Sequence, residues 1–279
     1  VPRFKGMNYN FSDIRFTYKE GMTESKINYW IENFTNESAI VWVKVPFIPK
    51  NSNTTIYMYY GNPSATSESN GDAVFEFFDD FEGTSLDTSK WNSNGASVSN
   101  GKCMLDGDTW NSQRGIKSKT AFSTGDIVIE LYGRRTGSGD LDPAIWYYNA
   151  PINGSCYNPE GSDSLGLWVT ENSNRAGIYV DGTKVVDSPS EYTTTAWTRI
   201  VFRPKSGDLY ARIGNTEMSG SATHSYSNQP IAVTINSVDG LDFEIDWIHV
   251  RKYTDPEPSV SIGKEQSRGF YISLMTDKA

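Results

Sequence analysis

The stretch Phe77-Phe-Asp-Asp-Phe-Glu-Gly-Thr-Ser-Leu-Asp-Thr-Ser-Lys-Trp91 decides the fold of this 279-residue chain. If its first five positions form a strand, Phe77 and Phe81 lie on one face and Phe78 lies on the other, so both faces carry an aromatic residue. This pattern is typical of a strand at a sheet edge or between two layers. We expect it to be the first strand of a large β-sandwich and to pair with a strand at residues 242–253 near the other end of the chain.

The rest of the chain divides into two β-rich modules and a tail. Residues 1–70 contain four short alternating strands, which predict a small antiparallel β domain. Residues 73–264 contain many short strands with turns between them, which favours a β-sandwich or jelly roll. Asp181-Gly182 lies between two apolar runs and predicts a hairpin turn. Residues 265–279 are predicted to form an extended tail, and the fold class is all-β.

Composition and charge exclude several partners. The net charge is −9 and no cluster of basic residues is apparent, so nucleic acid is not an expected partner. No apolar run is long enough to span a bilayer. Aromatic residues make up 13% of the chain, with 16 Tyr and 8 Trp, which suits thin β-sandwiches and surfaces that stack on sugars.

Two features place the protein outside the cell or on its surface. Cys103 and Cys156 are the two cysteines, and we expect a disulfide between them, the alternative being two unrelated buried thiols. Five Asn-x-Ser/Thr sites for glycosylation are present. They are Asn10, Asn33, Asn36, Asn53 and Asn153.

The first module resembles a known family. The similar segments are Phe11-Ser-Asp-Ile-Arg-Phe-Thr17, Tyr29-Trp-Ile-Glu32, Val41-Trp-Val-Lys-Val-Pro46 and Thr55-Ile-Tyr-Met-Tyr-Tyr-Gly-Asn62. They resemble the domain of unknown function numbered 2341, found in microbial, largely archaeal, surface proteins. The resemblance implies that this module lacks its opening strands and that a concanavalin-like domain follows it.

The second module is similar to concanavalin-like and laminin-G-like sandwiches. The similar segments are Tyr179-Val-Asp-Gly-Thr-Lys-Val185 and Ile245-Asp-Trp-Ile-His-Val-Arg-Lys-Tyr253. In the family of the first module, the sandwich opens with Asp-Asp-Phe and Lys-Trp, which here are residues 79–81 and 90–91. The resemblance implies a fold and a surface location, without a reaction.

Aromatic residues of the second module are candidates for a glycan-binding platform, because sugars stack their apolar faces on aromatic rings. Strand side chains alternate, so neighbouring rings face opposite ways. The alternative is that Trp146 and Trp168 are core residues and that the tyrosines cap the sheet. The candidates are Trp110, Trp146, Tyr147, Tyr148, Tyr157 and Trp168.

Aspartates in or near loops are candidate ligands for a structural calcium ion, which prefers oxygen ligands. The alternative is that they are solvated turn residues, and no cofactor is required. The candidates are Asp79, Asp80, Asp87, Asp140, Asp142 and Asp163.

The segment Glu244-Ile-Asp-Trp-Ile-His249 bears on whether the chain is an enzyme. It resembles the Glu-x-Asp-x-x-Glu pattern of concanavalin-like glycosidases, in which both glutamates act in catalysis. His249 stands where the second glutamate is needed, so we expect no enzymatic activity and assign no catalytic residue.

The tail supplies the last prediction. Phe270, Ile272 and Leu274 alternate with other residues as in a strand, and this strand has no sheet of its own. We expect it to complete the first module of another copy, the alternatives being insertion into its own chain or disorder.

The predicted function is a surface structural or adhesion protein, as a repeating subunit of a filament or array. The alternatives are a carbohydrate-binding module and, third, a glycoside hydrolase.

Overall fold

The computed structural model describes residues 1–107, 114–123, 125–136, 141–148, 164–170, 175–189, 194–237, 242–265 and 270–276. The chain forms two compact units. The first unit combines Val1–Glu76 with Tyr253–Ala279, and the second unit is Phe77–Lys252. In sequence, the second unit is therefore an insertion between the two segments of the first.

The first unit begins with five strands and one short helix. β1 pairs with both β2 and β5, while β3 and β4 form a separate antiparallel pair. Phe16 on β1 and Ile56 and Met58 on β5 are buried in the core of this unit. The elements are β1 (Arg15–Glu20), β2 (Thr23–Ile27), β3 (Tyr29–Phe34), β4 (Ala39–Val43), β5 (Asn53–Tyr59) and α1 (Gly71–Val74).

The second unit contains fifteen antiparallel strands. They are β6 (Phe77–Asp79), β7 (Trp91–Asn94), β8 (Ala96–Val98), β9 (Cys103–Leu105), β10 (Arg114–Phe122), β11 (Ile127–Arg135), β12 (Leu141–Tyr148), β13 (Leu165–Thr170), β14 (Arg175–Val180), β15 (Thr183–Asp187), β16 (Thr198–Lys205), β17 (Asp208–Ile213), β18 (Thr216–Gly220), β19 (Gln229–Ser237) and β20 (Phe243–Lys252).

These strands form two sheets around one apolar core, as the predicted sandwich requires. The seven-stranded sheet has the order β15-β14-β13-β12-β19-β10-β7. The eight-stranded sheet has the order β18-β17-β16-β11-β20-β9-β8, and β6 also pairs with β20. Alternate residues of both sheets, such as Ile145, Leu167 and Ile129, face the shared core. The predicted all-β fold class is confirmed.

The opening stretch occupies the predicted place. Phe77 pairs with Val250 and Asp79 with Ile248, which confirms that the first strand of the sandwich lies beside the closing strand β20. The strand ends at Asp79, and Phe81 has a positive φ of 52° that turns its ring back into the core. There it stacks on Trp91, with 6.3 Å between the ring centroids.

The hairpin predicted at Asp181-Gly182 is confirmed. Val180 pairs with Thr183 across it, and both turn residues have positive φ, 50° for Asp181 and 75° for Gly182. Positive φ at both central residues is the geometry of the turn that best matches strand twist, and glycine adopts it without a steric penalty.

The C-terminal strands belong to the sheet of the first unit. β21 (Pro258–Ile262) pairs with β22 (Phe270–Thr276), and β22 pairs with β5 of the same chain. The sheet order is β2-β1-β5-β22-β21. The structure thus has the arrangement in which the tail returns to its own chain, instead of the predicted donation to another copy. It also places β21 in the first unit, whereas the sequence assigned residues up to 264 to the sandwich, because β21 pairs with the tail.

The structure does not have the predicted disulfide at Cys103. Within the described residues Cys103 is a free thiol, and it is fully buried on β9 in the sandwich core. Burial raises the pKa of this thiol to about 12, so the thiol stays protonated. Its predicted partner, Cys156, lies outside the described residues.

Candidate functional site

The face of the seven-stranded sheet that points away from the core carries an organised set of side chains. Strand pairing aligns them in two rows that cross the strands. One row is Lys184, Tyr179, Gly166, Trp146, Ala232 and Lys117. The second row is Gly177, Trp168, Ala144, Thr234 and Gly115. We call this surface the outer face.

Trp146 forms the floor of the outer face. It is 3% exposed and packs with Ala144, Ala232 and Trp168 in a small cluster separate from the main core. Its indole nitrogen donates a hydrogen bond of 2.7 Å to Oγ1 of Thr234. A buried indole N–H that has a partner fixes the ring orientation, so Trp146 supports the face from below.

Trp168, Tyr179 and Lys184 form the accessible part. Trp168 is half-buried, and its ring centroid lies 5.8 Å from that of Tyr179 at a tilt of 51°. Lys184 is exposed, and its Nζ lies 5.7 Å from the Tyr179 ring centroid. A partly open indole beside a polar, charged side chain is an arrangement that can stack on a sugar ring and bind its substituents.

Glycine at position 177 allows this arrangement. Gly177 lies directly opposite Trp168, and a Cβ placed on it would be 3.0 Å from Cγ, Cδ and Cε of Lys184. The aliphatic part of Lys184 therefore lies across Gly177, next to the Trp168 position. A larger residue at 177 would displace it.

The prediction for Tyr147 as a glycan-binding residue is wrong. Tyr147 is fully buried in the core between the sheets, and its hydroxyl donates a hydrogen bond of 2.5 Å to the carbonyl oxygen of Phe122. The alternation of strand side chains sends it inward when Trp146 faces outward. Trp110 and Tyr157 lie outside the described residues, as does the side chain of Tyr148.

Sequence reasoning missed Tyr179, Lys184 and Thr234. A signal existed for two of them, because a two-residue turn at Asp181-Gly182 places Tyr179 opposite Lys184. Thr234 becomes a neighbour of Trp146 only through the pairing of β12 with β19, which joins segments far apart in the chain.

The carboxylates that were candidate calcium ligands have other partners. Asp79 accepts hydrogen bonds from the Trp91 indole nitrogen at 2.7 Å and from the backbone nitrogen of Phe81 at 2.8 Å. Asp87 accepts bonds from the backbone and hydroxyl of Ser89, which lower the pKa of Asp87. Burial raises the pKa of Asp80.

No group of three or more His, Cys, Asp or Glu side chains that could hold a metal ion occurs in the described part of the chain. Asp140 and Asp163 lie outside that part, as does the side chain of Asp142. The calcium site stays a prediction for these three residues.

The glycosidase-like segment lies on β20 of the eight-stranded sheet. Arg134 Nε donates a hydrogen bond of 2.7 Å to Oε2 of Glu244, forming an ion pair. His249 is buried and stacks on Trp247, with 5.1 Å between ring centroids and an angle of 4°. The position that would need a second carboxylate is thus filled by a buried imidazole, and the segment is on a different sheet from the outer face.

The predicted glycosylation sites differ in exposure. Asn33, Asn36 and Asn53 are exposed, and Asn53 begins β5. Asn10 is half-buried, and its side-chain oxygen accepts a hydrogen bond of 3.2 Å from the backbone nitrogen of Ser12. Asn153 lies outside the described residues.

In the part of the chain that the structure describes, no helix combines the length and apolar character needed to span a membrane.

Two packed antiparallel sheets make the second unit a concanavalin- and galectin-like β-sandwich, and solved structures share this fold. A protein of unknown function with a galectin-like fold from Bacillus subtilis has a TM-score of 0.51 and 9% identity, covering 64% of this chain and 96% of its own. A chain from work on endo-acting O-glycanases, which human gut bacteria express to initiate mucin breakdown, has a TM-score of 0.50 and 15% identity. It covers 64% of this chain and 100% of its own.

A third similar structure is the exoplasmic/lumenal domain of VIP36 bound to Ca²⁺ and Man3GlcNAc, with a TM-score of 0.49 and 13% identity, covering 64% of this chain and 91% of its own. At these identities the likeness concerns the fold alone.

Residues 10–94 match the family described as Domain of unknown function (DUF2341). This match supports the resemblance of the first module to that family. No curated protein matches the sequence.

Proposed function

We propose that the second unit is a carbohydrate-binding, lectin-like module that binds glycans on its outer face. The observation that carries this proposal is the half-buried Trp168 ring beside Tyr179 and Lys184. The Trp168 ring packs against the apolar face of a sugar, and nearby polar groups bind its hydroxyls. The similar chain from work on endo-acting O-glycanases has the same fold, which also supports glycan binding.

The experiment is a glycan-array screen of the intact protein, followed by titration of the best ligand. We expect Trp168→Ala to weaken binding by at least about tenfold, which corresponds to roughly 1.4 kcal/mol. Trp197→Ala is the matched control, because Trp197 stacks on Tyr132 of the eight-stranded sheet. No binding across the array, or equal loss in both variants, would refute the outer face as a lectin site.

A second candidate function is assembly of the first unit with other copies on a surface. All the large apolar side chains that are exposed in the described residues belong to this unit, although the second unit is larger. They are Tyr9, Met22, Phe34, Ile40, Phe47, Val260 and Ile262. Exposed apolar groups favour contacts with a partner.

The C-terminal strand favours the same candidate. β22 is inserted between β5 and β21, so the sheet of the first unit depends on a segment that returns after the whole sandwich. The same segment of a second copy can make the same backbone pairing with β5, which is the requirement for exchange between copies.

Deleting residues 269–279 tests this candidate. We expect the first unit to lose stability or the assembly to dissociate, and we expect the free peptide to restore either property. Melting curves and light scattering are the measurements. An unchanged melting curve and an unchanged particle size would rule out the role of the tail.

We also propose that the protein acts outside the cell or on its surface, without hydrolysing its ligand. The exposed sites at Asn33, Asn36 and Asn53 support the location. The ion-paired Glu244 and the buried His249 support binding without hydrolysis. Treatment of the purified native protein with glycosidases tests the location, since an unglycosylated intracellular protein would contradict it.

A further inference from the structure

One edge of the sheet in the first unit is an exposed strand. β21 is the last strand in the order β2-β1-β5-β22-β21, so within the described residues one side of its backbone faces away from the sheet. All of its residues are exposed, Val260 to 63% and Ile262 to 45%. The backbone N–H and C=O groups along such an edge can bind a strand of another chain.

The apolar residues of β21 continue the face of the sheet that carries the core. Ile262 pairs with Ile272, and Ile272 pairs with Ile56, which is 1% exposed. Directly paired residues lie on the same face of a sheet, and so do residues two apart in one strand. Val260 and Ile262 therefore lie on the face of Ile56, and at β21 this apolar face is open to solvent.

The opposite edge of the same sheet is built differently. The edge strand there is β2, which carries Glu24 and Lys26. Glu24 accepts a hydrogen bond of 2.6 Å from the hydroxyl of Tyr59, and Lys26 forms an ion pair with Glu68. Charged side chains along an edge disfavour pairing with another strand. The sequence of β21, Pro258-Ser-Val-Ser-Ile262, contains no charged residue, so β21 does not have this protection.

The sequence of β21 is suited to pairing with a second copy of itself. In an antiparallel pair centred on Val260, this residue lies opposite Val260 of the second copy. Ser259 then lies opposite Ser261, and Pro258 lies opposite Ile262 in the same way. The apolar residues of both copies share one face and the serines share the other. Pro258 lacks a backbone N–H, but proline is tolerated at the first position of a strand.

The residues on either side of β21 carry charges of opposite sign. Asp255 and Glu257 precede the strand, Lys264 follows it, and all three are exposed. Glu265 comes next and accepts a hydrogen bond from the hydroxyl of Tyr60 in its own chain. Antiparallel pairing brings the end of each strand to the start of the other, so Lys264 of each copy approaches acidic residues of its partner. This charge complementarity favours a second copy as the occupant of the edge.

We propose that β21 binds β21 of a second copy as an antiparallel pair with a two-fold axis at Val260. The pairing joins the two sheets into one and extends their apolar faces across the axis. It closes at two copies, because a two-fold interface uses the same surface of both. This inference rests on the assembly of the first unit proposed above, and it adds the surface and the partner. It differs from the exchange of β22, which uses the edge of β5.

The experiment uses position 260, because the two-fold register places this residue opposite itself. In the full chain, Val260→Lys and Val260→Glu each bring two like charges together, whereas an equal mixture of the two variants brings opposite charges together. Ser25→Lys, on the exposed part of β2, is the control. Sedimentation velocity and light scattering over about a hundredfold range of protein concentration give the mass of each sample. Melting curves verify that every variant folds.

We expect the wild type and Ser25→Lys to form dimers as the concentration rises. Each single variant at position 260 should weaken the dimer by at least about tenfold, and the mixture should recover most of the association.

Other results overturn the inference in different ways. Dimers that persist in both single variants overturn the pairing at β21 and leave the assembly of the first unit intact. Single variants that dissociate, without recovery in the mixture, overturn the pairing of residue 260 with itself. A wild type that stays monomeric at every concentration overturns the pairing at β21 and the assembly together, and it leaves the glycan-binding proposal unaffected.

Discussion

The indole nitrogen of Trp91 donates a hydrogen bond of 2.7 Å to Oδ2 of Asp79 inside the sandwich. Asp79 ends β6, which pairs with the closing strand β20, and Trp91 begins β7 at the end of the other sheet. Both residues are buried, at 9% and 2% exposed. This bond therefore links the two sheets at the start of the domain.

Removal of the indole donor should destabilise the protein. In Trp91→Phe the Asp79 carboxylate loses one of its two hydrogen bonds in a buried position, so we expect a loss of about 1–3 kcal/mol in the free energy of unfolding. Urea unfolding gives the value. A double-mutant cycle with Asp79→Asn provides the control, and strict additivity of the two single changes would show that the bond contributes nothing.

His249 should make the protein sensitive to acid. Burial, together with the positive charges of Arg251 and Arg199, holds the pKa of His249 well below its ordinary value. The unfolded chain then binds a proton that the folded chain does not, so stability is lost as the pH falls below about 6.5, by up to roughly 1.4 kcal/mol per pH unit.

The variant His249→Phe should remove this slope while keeping an aromatic ring on Trp247. Urea unfolding at several pH values between 5 and 7.5 measures it. His224→Gln, at the other histidine, is the control and should keep the slope. A wild-type protein whose stability does not change over this range would contradict the prediction.

Replacing Asp246 with asparagine should increase the free energy of unfolding at neutral pH. It occupies a bulge in β20, and burial raises the pKa of its carboxyl; Lys102 opposes this shift, while Glu82 and Asp80 add to it. The folded state therefore disfavours the charged carboxylate. We expect Asp246→Asn to gain ~0.5–1 kcal/mol at pH 7, and the gain should shrink as the pH falls through the raised pKa.

Thermal unfolding in the presence of a chelator measures the effect of Asp246→Asn. Added calcium provides a second comparison. If calcium stabilises the wild type but not the asparagine variant, Asp246 binds the ion and the prediction is wrong.

Incubation with β-glucans should produce no new reducing ends. Glu244 is held by Arg134 in an ion pair, and His249 cannot replace the second carboxylate that glycoside hydrolysis requires. Reducing-end analysis of the intact protein is the measurement. Turnover that disappears in Glu244→Gln would establish an enzyme.

Local sequence signals predicted the sandwich well. Alternating residues in the strand segments, the Asp181-Gly182 turn and the aromatic opening strand each depend on neighbours in the chain, and the structure contains all three. The candidate site was predicted less well. Trp146 and Trp168 were identified, but Tyr147 was assigned to the glycan site although it faces the core. The sequence shows that adjacent rings face opposite ways, but it does not show which of the two points outward.

The sequence by itself determined the all-β class, the approximate position of the sandwich and the pairing of its first and last strands. Period-two alternation and turn residues are local properties, so they can be recognised without knowing which distant segments pair. The tertiary structure alone decided that β22 pairs with β5 and that Lys184, Trp168 and Thr234 share one face. These relationships depend on strand order and register, which are set by burial across the whole sheet.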